Sequence, residues 1–269
     1  MSERLTTVDP IADVLQASPL AVFSDIDGTL SPIVDNPDEA YVPAEMQNHV
    51  RSLVSEGVIV AMVTGRSLER ARRIVGVPVR AYAASHGLDV WVDGESVRPP
   101  EVEEWEKKAR QALIELQPIE GGGGIAIEDK EFGLAIHYRQ ADESKDARDA
   151  ILDAIAGSKS AGEFDVHEGR MLVELRPKLA ITKGTAVTDL AERFEARAIL
   201  CLGDDVTDID MFDAVRELRG EGRRGVSIAV RSDEADERVL ESSDYWVDGV
   251  EGVQWLLGEI VKKLAQQRP

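Results

Sequence analysis

Apolar runs that end abruptly in polar residues and glycine recur along this sequence. The runs at 20–24, 58–63 and 198–202 have the length of strands that are buried on both faces of a sheet. Segments with the three- to four-residue spacing of amphipathic helices follow, for example at 44–56 and 183–195. Because strands that alternate with helices build a parallel sheet covered on both sides, the sequence predicts an α/β fold with a three-layer, doubly wound core.

The pattern changes in the middle of the chain. The segment 88–97 alternates apolar and polar residues around an Asp-Gly pair, which predicts a β-hairpin. The next stretch has two helical patterns, each followed by two strand patterns: 101–117, 125–128, 134–138, 143–156, 164–167 and 171–175. This αββαββ order predicts an inserted α+β domain at 99–177, within a core formed by 1–98 and 178–269.

Net charge and cysteine content limit the partners and the cellular compartment that we expect for this protein. The formal net charge is −20, so a nucleic-acid partner is unfavourable. The single cysteine, Cys201, lies in an apolar run and cannot form a disulfide within the chain, which fits a reducing compartment. No apolar run is long enough to cross a bilayer, and the N-terminus lacks a signal-peptide pattern. We therefore expect a cytoplasmic monomer that binds neither nucleic acid nor membrane.

Two acids, Asp25 and Asp27, follow the apolar run 20–24 and precede Gly28. Carboxylates at the end of a buried strand are costly unless a cation lies between them. In open α/β sheets this end of the strand is where ligands bind. We interpret the pair as facing a divalent cation and a phosphorylated ligand, with one carboxylate attacking phosphorus and the other transferring a proton. A capping Asp and a turn Asp are the alternative interpretation.

A possible anion site follows the apolar run 58–63. Thr64 offers a hydroxyl, and the backbone N–H groups at the start of the next helix point toward the same place. Arg66 adds charge-assisted donors, and Ser67 is a suitable N-cap. The alternative is an ordinary helix capped by Ser67.

Lys183 begins a predicted helix. The helix dipole makes a cation at this end slightly unfavourable, so a lysine here is better explained if it faces an anion. The alternative is a lysine in contact with solvent.

Four acids within seven residues follow the apolar run 198–202: Asp204, Asp205, Asp208 and Asp210. Mg²⁺ prefers a few carboxylates together with waters and phosphate oxygens. We expect Asp204 and Asp208 to lie on the cation side, with Asp205 orienting a water. An acidic N-cap explains one or two of these residues, but not four.

These four segments, in this order, resemble the signature motifs of the haloacid dehalogenase superfamily of phosphohydrolases. The matching positions are the nucleophile motif at 25–30, the hydroxyl of Thr64, Lys183 and the acidic motif at 203–208. The insertion at 99–177 falls where this superfamily places a cap of the larger α+β type. The resemblance therefore implies that the inserted domain is a substrate-specificity cap.

Further segments extend the resemblance: 30–33, 85–87, 128–130, 134–139 and 173–177. With these segments the sequence is most similar to the trehalose-phosphatase family. The similarity implies Mg²⁺-dependent hydrolysis of trehalose 6-phosphate to trehalose and phosphate through an aspartyl-phosphate intermediate. It also implies a functional pairing with a sugar-phosphate synthase.

The resemblance assigns a role to each motif residue. Asp25 would be the nucleophile, and Asp27 would protonate the leaving sugar oxygen and then activate water. Thr64 and Lys183 would hold the phosphoryl oxygens. The ligands of Mg²⁺ would be Asp25, the carbonyl of Asp27, Asp204 and Asp208.

The sugar would meet acids and bases that bond to hydroxyl groups. The substrate-binding residues implied are Arg66, Glu128, Lys130, Arg139 and Glu174. From the residues alone, the four in the insertion are as well explained by ion pairs across a small sheet.

Two other functions stay open at this point. One is a phosphatase of another sugar or compatible-solute phosphate, such as sucrose phosphate, mannosyl-3-phosphoglycerate or glucosylglycerol phosphate. The other is a non-catalytic partner of a synthase that binds a sugar phosphate. The presence of every required acid and of Lys183 argues against the non-catalytic function.

Overall fold

The structure is a computed structural model that describes residues 2–34, 36–169, 171–232 and 236–267. The chain divides into two compact units. One comprises Met1–Val97 and Ile181–Pro269, and the other is Arg98–Ala180. Among the described residues, no helix has both the length and the apolar character needed to span a bilayer.

The described residues form thirteen strands and nine α-helices. The strands are β1 (Glu3–Arg4), β2 (Leu20–Ser24), β3 (Ile59–Val63), β4 (Ala81–Ala84), β5 (Asp89–Val92), β6 (Glu95–Val97), β7 (Ala126–Asp129), β8 (Leu134–His137), β9 (Asp165–Gly169), β10 (Leu172–Arg176), β11 (Ala198–Gly203), β12 (Arg224–Arg231) and β13 (Tyr245–Asp248). The helices are α1 (Ala12–Leu15), α2 (Ala44–Ser55), α3 (Leu68–Val75), α4 (Pro100–Leu116), α5 (Ser144–Gly157), α6 (Lys183–Arg193), α7 (Ile209–Gly220), α8 (Glu237–Ser242) and α9 (Gly249–Gln266).

The larger unit is built on one sheet in the order β1-β13-β12-β11-β2-β3-β4-β5-β6. Its strands run parallel from β1 to β4, and the hairpin β5–β6 adds two antiparallel strands at the edge. In the centre, Val22 pairs with Leu200 on one side and with Val60 on the other. The predicted hairpin and the predicted parallel core are both present.

Alternation along the central strand explains the three layers. Leu20 and Val22 pack with buried residues of α1, α2, α3 and α9, whereas Ala21 and Phe23 pack with those of α6, α7 and α8. Successive side chains of a strand point to opposite faces, so an unbroken apolar run needs helices on both sides. Burying one such large side chain contributes about 1.5–3 kcal/mol. The predicted α/β class is confirmed.

The smaller unit contains an antiparallel sheet in the order β7-β8-β10-β9. Leu134, Ile136 and Val173 pack with buried residues of α4 and α5 on one face. Trp105 of α4 contacts Phe164 edge to face, with ring centroids 4.9 Å apart. The element order of this unit along the chain is αββαββ.

Some local features differ from the sequence predictions. The strands β1 and β13 and the helices α1 and α8 were not predicted. Ser67 occupies the N-cap position of α3, but its side chain makes no capping hydrogen bond. After β11, Val206–Asp208 form a 3₁₀ turn before helix α7 begins at Ile209.

Candidate active site

Three of the predicted motifs follow adjacent parallel strands. Asp25 follows β2, Thr64 follows β3 and Asp204 follows β11, and these strands are neighbours in the order β11-β2-β3. Because the strands run parallel, their carboxyl ends lie at the same edge of the sheet. Lys183, the first residue of α6, reaches the same place.

The centre of the site is a buried ion-pair network. The Nζ atom of Lys183 lies 3.0 Å from Asp25 Oδ1 and 2.6 Å from Asp208 Oδ1. Lys183 is 3% exposed, Asp25 is 5% exposed and Asp208 is fully buried. The second oxygen of Asp208 accepts hydrogen bonds from the backbone N–H groups of Asp204 and Asp205, at 2.9 and 3.0 Å. Both oxygens of Asp208 are therefore held in place.

Asp204 is brought close to the loop after β2. Its Oδ1 accepts a hydrogen bond of 3.0 Å from the hydroxyl of Thr29. Gly28 has a φ of +74°, and a Cβ atom there would lie 2.0 Å from Asp204 Oδ2. Only glycine therefore allows this approach. The role of Thr29 was not predicted, because its only signal in the sequence is its place within the motif at 25–30.

The charges of this network suit a divalent cation. Asp25, Asp204 and Asp208 each offer a carboxylate oxygen, and these oxygens lie within 4.8 Å of one another. Three carboxylates beside one ammonium leave two negative charges uncompensated. Oxygen ligands with this charge are those that Mg²⁺ prefers, so the residues fit the predicted ion. That Asp27 contributes its carbonyl stays a prediction.

The pKa values reflect the same imbalance. Burial raises the pKa of Asp25 to about 7, although Lys183 opposes the rise. Burial, followed by the charge of Asp25, raises the pKa of Asp204 to about 8. Burial alone would lower the pKa of Lys183, but the carboxylates of Asp25 and Asp208 raise it above its ordinary value. The site therefore favours the charged form of Lys183 and disfavours the charged forms of Asp25 and Asp204, as expected where negative charge is in excess.

Asp27 is held by the predicted anion-binding arginine. Arg66 donates from Nε to Asp27 Oδ2 and from Nη2 to Asp27 Oδ1, both at 2.6 Å. A third bond of 2.8 Å runs from Nη1 to the carbonyl of Pro37. The hydrogen bond to Asp27 raises the pKa of Arg66. Arg66 thus fixes the orientation of Asp27 in this structure, and its contact with substrate stays a prediction.

Thr64 is buried beside this pair. Its hydroxyl accepts a 3.2 Å hydrogen bond from the backbone N–H of Arg66. Its own backbone N–H donates to the carbonyl of Ala83, at 2.9 Å, which continues the pairing of β3 with β4. The end of the sheet therefore fixes the backbone that carries this hydroxyl.

The acids at 204–210 differ in the contacts that they make. Asp205 caps the turn Val206–Asp208, since its side chain accepts from the Thr207 backbone and from the Thr207 hydroxyl, at 3.4 and 3.1 Å. This is the N-cap that the alternative interpretation expected for one or two acids. Asp204 and Asp208 instead belong to the carboxylate group around Lys183.

Two of the predicted sugar-binding residues lie on one face of the smaller sheet. Glu128 of β7 and Glu174 of β10 both pair in register with Ala135 of β8. Residues directly opposite one another across a sheet share a face. On the far side, His167 of β9 pairs with Glu174. The row Glu128, Ala135, Glu174 and His167 therefore crosses all four strands, and we call this face the polar face.

Ion pairs and hydrogen bonds occupy the polar face. Lys130 Nζ lies 2.9 Å from Glu128 Oε1, and His137 Nε2 lies 3.3 Å from Glu128 Oε2. Arg176 donates from Nε to Glu174 Oε2 at 3.0 Å. The fourth predicted residue, Arg139, is exposed just after β8. His137 and His167 were not predicted, because only the strand register brings them beside the predicted glutamates. Arg176 was not predicted either, although it lies two residues from Glu174 on the same strand.

Comparison with known proteins identifies the family. The model of the trehalose-phosphatase family matches residues 23–249. The chain belongs to this family. A trehalose-phosphate phosphatase of Mycobacterium avium (strain 104) is 37% identical over 237 residues, which are 84% of this chain and 58% of that protein. The chain therefore spans less than two thirds of the length of this curated relative.

Solved structures agree on the fold of this trehalose-phosphatase family member. A trehalose-6-phosphate phosphatase related protein has a TM-score of 0.73 at 22% identity, over 92% of this chain and all of that one. The C-terminal domain of the trehalose-6-phosphate phosphatase of C. albicans has a TM-score of 0.72 at 22% identity, over 97% and 98% of the two chains. A sugar phosphatase of the haloacid dehalogenase superfamily reaches 0.54 at 16% identity, over 88% and 97%. The resemblance to the trehalose-phosphatase family is therefore confirmed, and the solved structures share the fold.

Proposed function

We propose that this chain is a Mg²⁺-dependent phosphatase that hydrolyses trehalose 6-phosphate to trehalose and phosphate. The ammonium of Lys183 between the carboxylates of Asp25 and Asp208, with Asp204 in the same group, supports this most strongly. Membership of the trehalose-phosphatase family and the name of the Mycobacterium avium relative support the choice of substrate.

The first half-reaction transfers the phosphoryl group to Asp25. A carboxylate oxygen of Asp25 attacks phosphorus while the bond from phosphorus to the sugar oxygen breaks. Asp27 gives a proton to that leaving oxygen. Both oxygens of Asp27 accept from Arg66 in the structure, so one of them has to leave the guanidinium to reach the sugar. Thr64 and Lys183 hold the phosphoryl oxygens.

The second half-reaction restores the enzyme. Asp27 takes a proton from a water, whose oxygen attacks phosphorus and breaks the acyl-phosphate bond to Asp25. Phosphate leaves, and Asp25 is again a free carboxylate. One residue thus serves first as acid and then as base, which requires the partly exposed position that Asp27 has.

Magnesium would be held by Asp25 and Asp204, with Asp208 and the carbonyl of Asp27 as the further predicted ligands. When bound, it supplies positive charge against the phosphoryl oxygens. Asp208 already accepts from Lys183 and from two backbone N–H groups, so its first task is to fix the ammonium. Lys183 then faces the transferred group as a buried, permanently charged donor.

The smaller unit supplies substrate specificity in this proposal. Glu128, Lys130, Arg139 and Glu174 bond to the sugar hydroxyls. We assign Arg66, in the larger unit, to substrate binding as well. A face built to bond hydroxyls rejects compounds that lack them by large factors. We place the enzyme in the cytoplasm as a monomer, working after a synthase that supplies the sugar phosphate.

Phosphate release from trehalose 6-phosphate tests this function. The purified protein is stripped with a chelator and assayed with and without added Mg²⁺, and kcat/KM is compared across sucrose phosphate, mannosyl-3-phosphoglycerate and glucosylglycerol phosphate. We expect Mg²⁺-dependent turnover with trehalose 6-phosphate as the best substrate. A higher kcat/KM for another ester would reassign the substrate, and binding without release from any ester would contradict a phosphatase.

A further inference from the structure

A strained turn lies beside the proposed catalytic groups. In the turn Ser85–Gly87, which follows β4, all three residues have left-handed backbone angles, with φ of 49° at Ser85, 59° at His86 and 103° at Gly87. Two consecutive non-glycine residues in this region are uncommon. Such strain persists only where the surrounding structure holds it, and it clusters at functional sites.

One side of the turn contacts the segment that carries Thr64. The N–H of His86 donates to the Thr64 carbonyl and the N–H of Ser85 to the Arg66 carbonyl, both at 2.9 Å. The imidazole of His86 lies directly over Gly65, where an added Cβ would be 2.7 Å from both Cε1 and Nε2 of the ring. The turn therefore fixes this segment through its backbone and through a side chain.

The other side of the turn contacts the residues around Lys183. A Cβ on Gly87 would lie 3.0 Å from the carbonyl oxygen of Thr182 and 3.1 Å from Cβ of Ala186. Thr182 is the N-cap of α6 and immediately precedes Lys183. The same three residues thus touch the segment after β3 and the start of α6.

We propose that the turn Ser85–Gly87 is a positioning element that sets the spacing between the Thr64 hydroxyl and the Lys183 ammonium. This inference rests on the proposed function, in which these two groups hold the phosphoryl oxygens. A misplacement of about 1 Å in such a site can lower the rate by about 10²-fold. The turn does not touch the reacting atoms, and it acts through the two segments that it separates.

Gly87→Ala tests the spacing, with Gly94→Ala as its matched control. The two glycines have nearly equal φ, 103° and 104°, but a Cβ at Gly94 would meet nothing within 4 Å. Both variants carry the same backbone strain, and the tight contacts at Gly87 should lower the Tm of Gly87→Ala further. The added Cβ requires its neighbours to move by a few tenths of an ångström, so we expect Gly87→Ala to lower kcat by about tenfold, and Gly94→Ala to leave it within twofold. Equal kcat in the two variants would overturn the proposal.

A double-mutant cycle tests the contact of the His86 ring and stays informative if Gly87→Ala fails to fold. His86→Asn keeps a residue that tolerates the left-handed region but removes the ring. Gly65→Ala should lower kcat in the native background, where its Cβ meets the ring, and raise it in the His86→Asn background, where it fills vacated space. The same effect of Gly65→Ala in both backgrounds would contradict the proposal.

Crystal structures separate this inference from the proposed function. The distance from Thr64 Oγ1 to Lys183 Nζ should change by a few tenths of an ångström in Gly87→Ala, and stay unchanged in Gly94→Ala. This readout does not depend on turnover of any ester, so it stands even if the substrate is another compound. An unchanged distance in Gly87→Ala would overturn the role of the turn.

Discussion

The buried network around Lys183 and the polar face of the smaller sheet both contain paired charges, but they differ in solvent exposure. Lys183, Asp25 and Asp208 are nearly inaccessible to solvent. On the polar face, the side chains of Lys130 and Glu128 are 41% and 29% exposed. Removing one partner of a buried ion pair costs about 3–5 kcal/mol, whereas an exposed pair contributes about 0.2–1 kcal/mol. The network is therefore held rigidly by its own contacts, whereas the sugar-binding role that we propose for the polar face requires only that weak, exposed pairs separate.

The largest effect should come from the network. Asp25→Asn removes the nucleophile, so we expect turnover to fall by at least about 10³-fold. Lys183 keeps Asp208 as its partner, and one of three crowded carboxylates is removed, so the cost of an unpaired buried charge should not arise and Tm in the presence of a chelator should not fall. Activity and thermal unfolding are measured together, with the exposed Asp13→Asn as control. A marked loss of Tm would mean that Asp25 is chiefly a structural partner of Lys183, and retained turnover would exclude it as nucleophile.

The polar face should affect specificity rather than stability. We expect Glu128→Gln and Glu174→Gln each to lower kcat/KM for trehalose 6-phosphate by about 10²-fold, with Tm almost unchanged. Hydrolysis of a small aryl phosphate should stay near the native rate. Glu168→Gln is the matched control, because Glu168 lies on the same sheet opposite the buried Val173 and pairs with Arg148. Equal losses for both esters would show that this face does not select the sugar.

The pair of Arg66 and Asp27 is intermediate in solvent exposure between the network and the polar face, since the side chain of Arg66 is 15% exposed and that of Asp27 is 34% exposed. Arg66→Lys keeps the charge but loses the bidentate hold on Asp27. We expect kcat to fall about tenfold, with a smaller change in KM. The exposed Arg73→Lys serves as control. A rise in KM at native kcat would instead assign Arg66 to substrate binding alone.

The smallest effect concerns stability within the smaller unit. Hydrogen bonds from the Ser158 hydroxyl and from the backbone and hydroxyl of Ser160 lower the pKa of Glu115 from 4.5 to about 2. A lowered pKa means that this stabilisation is present above pH 4.5 and is lost as pH falls toward 2. The Tm difference between the native protein and Glu115→Gln should therefore be greatest near neutral pH and should disappear in acid. A difference that persists in acid would contradict this assignment.

The sequence was sufficient for features that depend on local pattern. The apolar runs gave the central strands, and the polar residues after them gave Asp25, Thr64 and Asp204 at one edge of the sheet. Lys183 was suspected because the helix dipole disfavours a cation there. These inferences need only the rule that parallel strands bring their carboxyl ends together.

Features that depend on register or on short segments could not be predicted. Arg66 and Asp27 are 39 positions apart, and only the pairing of β2 with β3 brings them together. The strand β1 has two residues, too few for any periodicity. Likewise, the position of His167 opposite Glu174 follows from the pairing of β9 with β10. Long-range pairing, rather than local preference, decides such contacts.

The most direct test of the account is to trap the phosphoryl group during turnover. The protein is quenched in acid while it hydrolyses trehalose 6-phosphate with Mg²⁺, digested and examined by mass spectrometry. We expect a phosphoryl group on the peptide that contains Asp25, labile to hydroxylamine and missing in Asp25→Asn. Turnover with no phosphopeptide, or with the group on another residue, would contradict it.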